Sequence, residues 1–230
     1  MPTRLTPMSA NNRLRAKRLY RYVIDHDRGF APNPFFGTCT LACCKPRIRK
    51  NAAIGDIIVG FGSKKYGLDG KLIYWMAVDE ILDFESYWHD PRFRMKRPQM
   101  GGSLSLCFGD NIYHRSSDDG SWIQETSFHS DPNSRNGAGN LRRDTGTTDK
   151  LLIGRNFTYW GGEGPKMPAE FEPLIWRRRG EKYHVDDPFM QDDFIDWLLR
   201  ISDRGFRGPP ADWTREAKLK SLVSRGQKEC

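Results

Sequence analysis

At 230 residues, with 37% hydrophobic and 29% charged residues, the chain is long enough to bury one sizeable core and reads as a globular protein. Its longest apolar runs, such as IIVGFG at 57–62, fall far short of the roughly 20 residues that span a bilayer, so no membrane is expected among its partners. The net charge of +8 is uneven: residues 1–50 hold eleven Lys or Arg against Asp25 and Asp27, whereas the remaining 26 basic residues face 27 acids. A positive field confined to one part of the chain points to phosphate.

Residues 1–16 are basic but lack the apolar centre of a secretory signal, and read as a disordered leader. The five cysteines are an odd number and include the adjacent pair Cys43 and Cys44, which suits a reducing, cytoplasmic setting rather than a disulfide framework. KRLYRYVI (17–24) alternates polar and apolar residues and is rich in β-formers, which predicts a strand. The Pro-rich stretch GFAPNPFFG that follows cannot be a central strand or helix interior, because proline fixes φ and lacks a donor, so an ordered loop is expected. KPRIRKNA (45–52) predicts a short helix with Pro46 in its first turn. GDIIVGFGS (55–63) and KLIYWMAVDEIL (71–82) predict a hairpin, with further strands at 103–108, 121–125 and 150–160. The turn-rich segment 130–149 reads as a mobile functional loop. At the C-terminus, Asp187 and Pro188 are placed to cap and open a helix whose face carries Met190, Phe194, Trp197, Leu198 and Ile201, with Gly205 to stop it. A second, shorter helix is predicted over 210–226. The order gives an α+β class: one domain over 17–184, with the helices of 185–230 packed on it.

DHDRGFAPNPFFGTCTLACCKPRIR (25–49) resembles the signature of the second nucleotide modification associated domain family, and the likeness extends from Leu19 to about Ser63. It implies a bacterial or phage protein that acts alongside enzymes modifying DNA bases. IRKNAAIGDIIVGFGS, then WMAVDEILDFESYWHDPRF, and later LLIGRNFTYWGG with Phe157, Tyr159 and Gly161 follow the motif order of PUA-like domains, especially the EVE type. That resemblance implies a small β-barrel with flanking helices and a pocket for a modified or flipped base. The Pro-rich loop departs from the EVE pattern.

Three chemistries compete for the Cys-rich stretch. A nucleophile is offered by Cys39 or Cys43, or by Cys44, with His26 as base and Asp25 or Asp27 to orient it. A metal site would draw on Cys39, Cys43 and Cys44 with His26 or Cys107, but a second CxxC pair is lacking, so neither metal nor cofactor is expected. A base pocket asks least: prolines stiffen the loop that presents Asn33, whose amide can pair with a base edge, and Phe35 and Phe36, whose rings can stack. Trp88 and Trp160 join as rim candidates, while Trp75, in mid-strand, reads as core. Lys45, Arg47 and Arg49 in one run, and Arg92, Arg94, Lys96 and Arg97 in another, would then hold phosphates.

The favoured function is recognition of a modified nucleobase, in nucleic acid (DNA favoured) or as a nucleotide, within a DNA-modification or anti-phage system. Two alternatives stay open: an enzyme that makes or edits the base through the Cys/His group, and a scaffold subunit that binds modification-system proteins.

Overall fold

The computed structural model describes residues 18–213, except 65–66, 134–136, 179, 184 and 186. Eleven strands and five α-helices are described: β1 Leu19–Ile24, β2 Cys39–Leu41, α1 Pro46–Asn51, β3 Ile57–Gly62, β4 Leu72–Ala77, β5 Glu80–Asp83, α2 Phe84–His89, α3 Leu104–Cys107, β6 Tyr113–Arg115, β7 Trp122–Gln124, α4 Gly137–Thr145, β8 Lys150–Gly154, β9 Phe157–Tyr159, β10 Glu181–Lys182, α5 Pro188–Ile201 and β11 Gly205–Phe206. A six-stranded sheet has the order β10-β1-β3-β4-β9-β11, a three-stranded sheet the order β2-β8-β5, and β6 and β7 form a hairpin. The class is α+β, as the sequence implies. The expected closed barrel does not form among the described residues: the strands divide between open sheets.

Two corners cause that division. The predicted strand 71–82 breaks after Ala77, so that β4 stays in the large sheet and β5 joins the small one. The predicted strand 150–160 breaks likewise into β8 and β9. One side chain pins both corners, since Asp79 Oδ2 accepts from the backbone N–H of Arg155 at 2.6 Å and of Asn156 at 3.0 Å. Gly154 completes the junction: a Cβ there would lie 2.6 Å from the Ala77 carbonyl oxygen.

The predicted strand at 17–24 is β1, but it is buried along nearly its whole length rather than on alternate residues. It runs parallel to β3, between β3 and the edge strand β10 of the large sheet, and sheets covered on both faces read as continuous apolar runs. On one face Leu19, Ile57, Val59, Phe61 and Trp75 pack against Phe194, Ile195 and Leu198 of α5. On the other, Tyr20, Tyr22, Ile58, Tyr74 and Met76 meet Cys39 and Leu41 of β2, Ile48 of α1 and Leu152 of β8. Alternate residues of β8, Leu151 and Ile153, point away into a third cluster with Phe30, Cys43, Phe84, Tyr87 and Phe108. The order of layers is therefore α5, large sheet, small sheet, outer aromatic cluster.

Helix α5 begins as predicted, with Asp187 accepting from the N–H of Phe189 at 2.9 Å and Met190 at 3.3 Å. It ends at Ile201, one turn before Gly205, where the Ser202 hydroxyl donates to the Leu198 carbonyl at 2.6 Å and accepts from Trp75 Nε1 at 2.7 Å. Helix α1 also forms where predicted, with Pro46 in its first turn. Residues 103–108 are helix α3 instead of a strand, because four apolar or small residues carry no period long enough to separate the two states. The segment 130–149 is an anchored element rather than a loop alone: it contains α4, whose Asp144 is fully buried. Residues 1–17 and 214–230, with the leader and most of the predicted second C-terminal helix, lie outside the described residues.

Candidate functional site

The Pro-rich loop is built into the interior. Asn33 exchanges backbone hydrogen bonds with Thr40 at 2.8 and 2.9 Å, closing residues 33–40 onto the start of β2. Its amide donates to the Phe108 carbonyl at 3.2 Å and accepts from the N–H of Phe35 at 3.3 Å and from Lys96 Nζ at 2.8 Å. Lys96 also donates to the carbonyls of Asn33 and Thr38 and to the Thr40 hydroxyl, all at 3.0–3.1 Å. Asp110 accepts from the hydroxyls of Thr40 at 2.6 Å and Tyr87 at 2.8 Å. Burial lowers Lys96 to about 8, against the pull of Asp110. Burial raises Asp110 to about 6, against the pull of Lys96. Asn33 and Lys96, proposed from sequence for base and phosphate, are thus members of a buried polar network with no spare donor facing solvent.

Arg49 is a second correction. It has no solvent exposure and is fully used, donating to the carbonyls of Cys44 at 2.9 Å, Lys150 at 2.8 Å and Asp144 at 2.6 Å. It cannot also hold a phosphate at the surface. Arg47, on the same short helix, is exposed and pairs with no carboxylate among the described residues.

The other basic run forms its own surface. Arg92 pairs with Glu80 at 2.8 Å and Asp90 at 2.6 Å. Trp88 stacks on His114 at 3.9 Å, with the Arg97 guanidinium 3.9 Å from the Trp88 ring centroid and donating to its carbonyl. Arg94 is exposed, and Trp160 is partly buried against the α5 side of the large sheet.

The cysteines do not assemble a thiolate. Cys39 and Cys43 are fully buried, and burial pushes both thiols well up. Cys44 is pushed up to about 11, first by burial and then by Asp144. Of the three it is Cys44, not Cys39 or Cys43, that shares a recess with His26 and Asp25. No group of three or more His, Cys, Asp or Glu among the described residues has the geometry to hold a metal ion.

What residues 25–45 do build is a cationic cleft. Where β1 leaves the sheet as Asp25–His26, a cleft of about 560 Å³ opens between Val23, Lys45 and the Arg177–Arg178 segment. A recess of about 280 Å³ shares Val23, Asp25, His26 and Lys45 and extends past Tyr22, Arg28, Phe30, Cys44, His129 and Arg143. Several of these cations are committed: Arg177 to Asp69 at 2.9 Å and Glu172 at 2.7 Å, and Arg143 to Asp144 at 2.8 Å. Lys45 and Arg178 pair with no carboxylate among the described residues. Lys45 lies partly buried with its ammonium 4.5 Å from the Tyr22 ring centroid, and burial lowers its pKa. Its backbone is left-handed at φ 41°, next to Cys44 at φ 58°. Such residues cost on the order of 1–2 kcal/mol each and cluster at functional sites. The N–H of Cys44 is held in place by Asp144 at 2.8 Å.

Sequence reasoning missed two parts of this site. His129 stacks on Phe30 at 4.4 Å, and burial followed by the charges of Arg28 and Arg143 lowers it to about 4. Its buried Nδ1 has no hydrogen-bond partner among the described residues. The second part is residues 209–213, which strap down residues 26–28 behind the cleft. Asp27 accepts from the Tyr159 hydroxyl and, at 2.9 Å, from the Ala211 N–H. His26 Nδ1 lies 3.4 Å from Asp212, and Trp213 Nε1 donates to the Arg28 carbonyl at 3.0 Å. Gly161 admits the strap, since a Cβ there would lie 2.0 Å from the Pro209 carbonyl oxygen. Neither part carries a local sequence signal; both arise from contacts about 100 to 185 positions apart.

Phe35 and Phe36 do not line the cleft. They line a separate groove beyond Gly29 and Trp213, with Trp213 stacked on Phe35 at 5.4 Å. The sequence model of one family, described as nucleotide modification associated domain 2, matches residues 16–217. No curated protein and no solved structure matches the chain.

Proposed function

Because this chain belongs to the nucleotide modification associated domain 2 family, we propose that it binds a modified nucleobase, as a nucleotide or within a strand, in the cationic cleft at the end of β1. Lys45 carries this reading. An ammonium in ion-pair contact with no carboxylate among the described residues, though Glu181 and Asp25 lie near enough to act on it, partly buried and fixed on a strained backbone, is a ready ligand for a phosphate oxygen. Arg178, exposed on the opposite wall, supplies a second positive charge. The cleft volume falls within the roughly 300–1,000 Å³ of small-molecule sites. In the adjoining recess His129 stays neutral at physiological pH and, with the apolar Phe30 and Ile24, forms a wall against which a base can pack. The order β3, β4, β9 within one sheet supports a relation to PUA-like domains, without the closed barrel. The family supports a place in a nucleotide-modification system, and a DNA-modification or anti-phage setting is our extension of it.

Catalysis by Cys39 or Cys43 finds no support, since both thiols are buried and held protonated. The test is a titration with modified and unmodified nucleoside monophosphates and oligonucleotides at two salt concentrations, followed through the His129 imidazole resonances. Saturable shifts that weaken with salt support the reading; silence of His129 toward every probe removes it.

A further inference from the structure

Phe36 and Phe206 are 38% and 42% exposed, and both line one groove of about 360 Å³ together with Phe35, Phe157, Arg155 and Arg204. They are held there. Phe36 sits at φ 60°, a conformation that a bulky residue rarely adopts. Phe206 stacks on the buried Tyr159 at 5.7 Å with the planes 12° apart, and Phe35 touches Phe36 at 6.2 Å and Phe206 at 5.4 Å. One flank of the groove is basic: Arg155 is engaged by Glu80 at 2.5 Å, but the exposed Arg204 guanidinium pairs with no carboxylate among the described residues. Rigid phenyl rings beside a free guanidinium are what an unpaired base and its phosphate need. A base stacks on any ring regardless of sequence, and the cation tracks the backbone. A purely apolar peptide would leave Arg204 unanswered, and a duplex hides the faces of its bases.

We propose that this groove is a second binding site, which stacks an unpaired nucleobase of a single-stranded nucleic acid on Phe36 and Phe206 with the adjacent phosphate at Arg204. It stands on residues separate from those of the cleft. The two sites lie on opposite sides of the Pro-rich loop: Arg28, Phe30 and Ala31 face the recess, and residues 34–37 face the groove.

The experiment is fluorescence anisotropy of a labelled 12-nucleotide thymidine single strand, and of the same strand in a duplex, against the full-length protein and four variants. The wild type should bind the single strand more tightly than the duplex. Phe36→Ala and Phe206→Ala should each weaken single-strand binding roughly tenfold (about 1.4 kcal/mol) while Phe36→Tyr retains it. Arg204→Ala should weaken it and reduce its salt dependence. Unchanged thermal unfolding shows that the variants fold, as these exposed side chains allow. Unchanged affinity of a nucleoside monophosphate shows that the cleft is intact, so failure of one site is distinguishable from failure of the other. Equal binding of single strand and duplex, no loss in Phe36→Ala and Phe206→Ala, or self-association that these variants abolish would each overturn the proposal.

Discussion

The buried carboxylate of Asp27 and the hydroxyl of Tyr159 share a hydrogen bond that joins the rim of the cleft to the large sheet. The same carboxylate takes the Ala211 N–H, so one side chain fixes both the end of β1 and the C-terminal strap. Burial raises Asp27 from 3.8 to about 6, against the pull of its hydrogen bonds. An acid raised on folding stays protonated in the native state over a range where the unfolded chain has lost its proton. Its contribution is full below about pH 4 and is lost as pH rises through about 6. The stability of the wild type relative to Asp27→Asn should therefore fall between pH 4 and pH 7, by on the order of 2 kcal/mol. Paired urea melts at the two pH values check the sign.

Arg47 and Arg49 separate surface charge from structure. Arg49→Ala removes the donor from three carbonyls, those of Cys44, Asp144 and Lys150, in the interior and should cost roughly 3 kcal/mol in chemical denaturation. Arg47→Ala should leave the urea midpoint unchanged.

The thiols of Cys39 and Cys43 should resist alkylation in the native protein and react only on unfolding, as burial holds them protonated. Peptide mapping after a timed iodoacetamide pulse at neutral pH reads this. Rapid labelling of either would restore the nucleophile.

On the far face, Phe194→Ala should cost about 3–5 kcal/mol by opening a cavity between α5 and the large sheet, and Asp187→Ala about 1 kcal/mol by removing the cap. Neither should change nucleotide affinity in a binding titration, because no residue of α5 lines the cleft or its recess.

Local chemistry was legible in the sequence. Pro46 opened α1, Asp187 and Pro188 opened α5, and the Gly55–Asp56 turn led into β3. The α+β order and the family also followed from residues read in place. Legibility ended where burial depends on distant partners. Arg49 looks like Arg47 in sequence, and it is Asp144 and Lys150, 95 and 101 positions away, that make it interior. Lys96 looks like Arg94 until the network of Asn33 and Asp110 encloses it. The breaks after Ala77 and Gly154 depend on Asp79 crossing to Arg155, a contact with no periodic signature. His129 sits in an ordinary turn, and nothing near it in sequence announces the recess it lines.

The most direct test of the account is calorimetric titration of a modified nucleoside monophosphate into the wild type and into Lys45→Ala. A lost charge-assisted bond to phosphate should weaken binding by about tenfold or more, with the fold and thermal stability retained. The effect should shrink at high salt. Equal affinity for the two proteins, or no heat of binding to the wild type from any nucleotide tried, would contradict a phosphate site at Lys45.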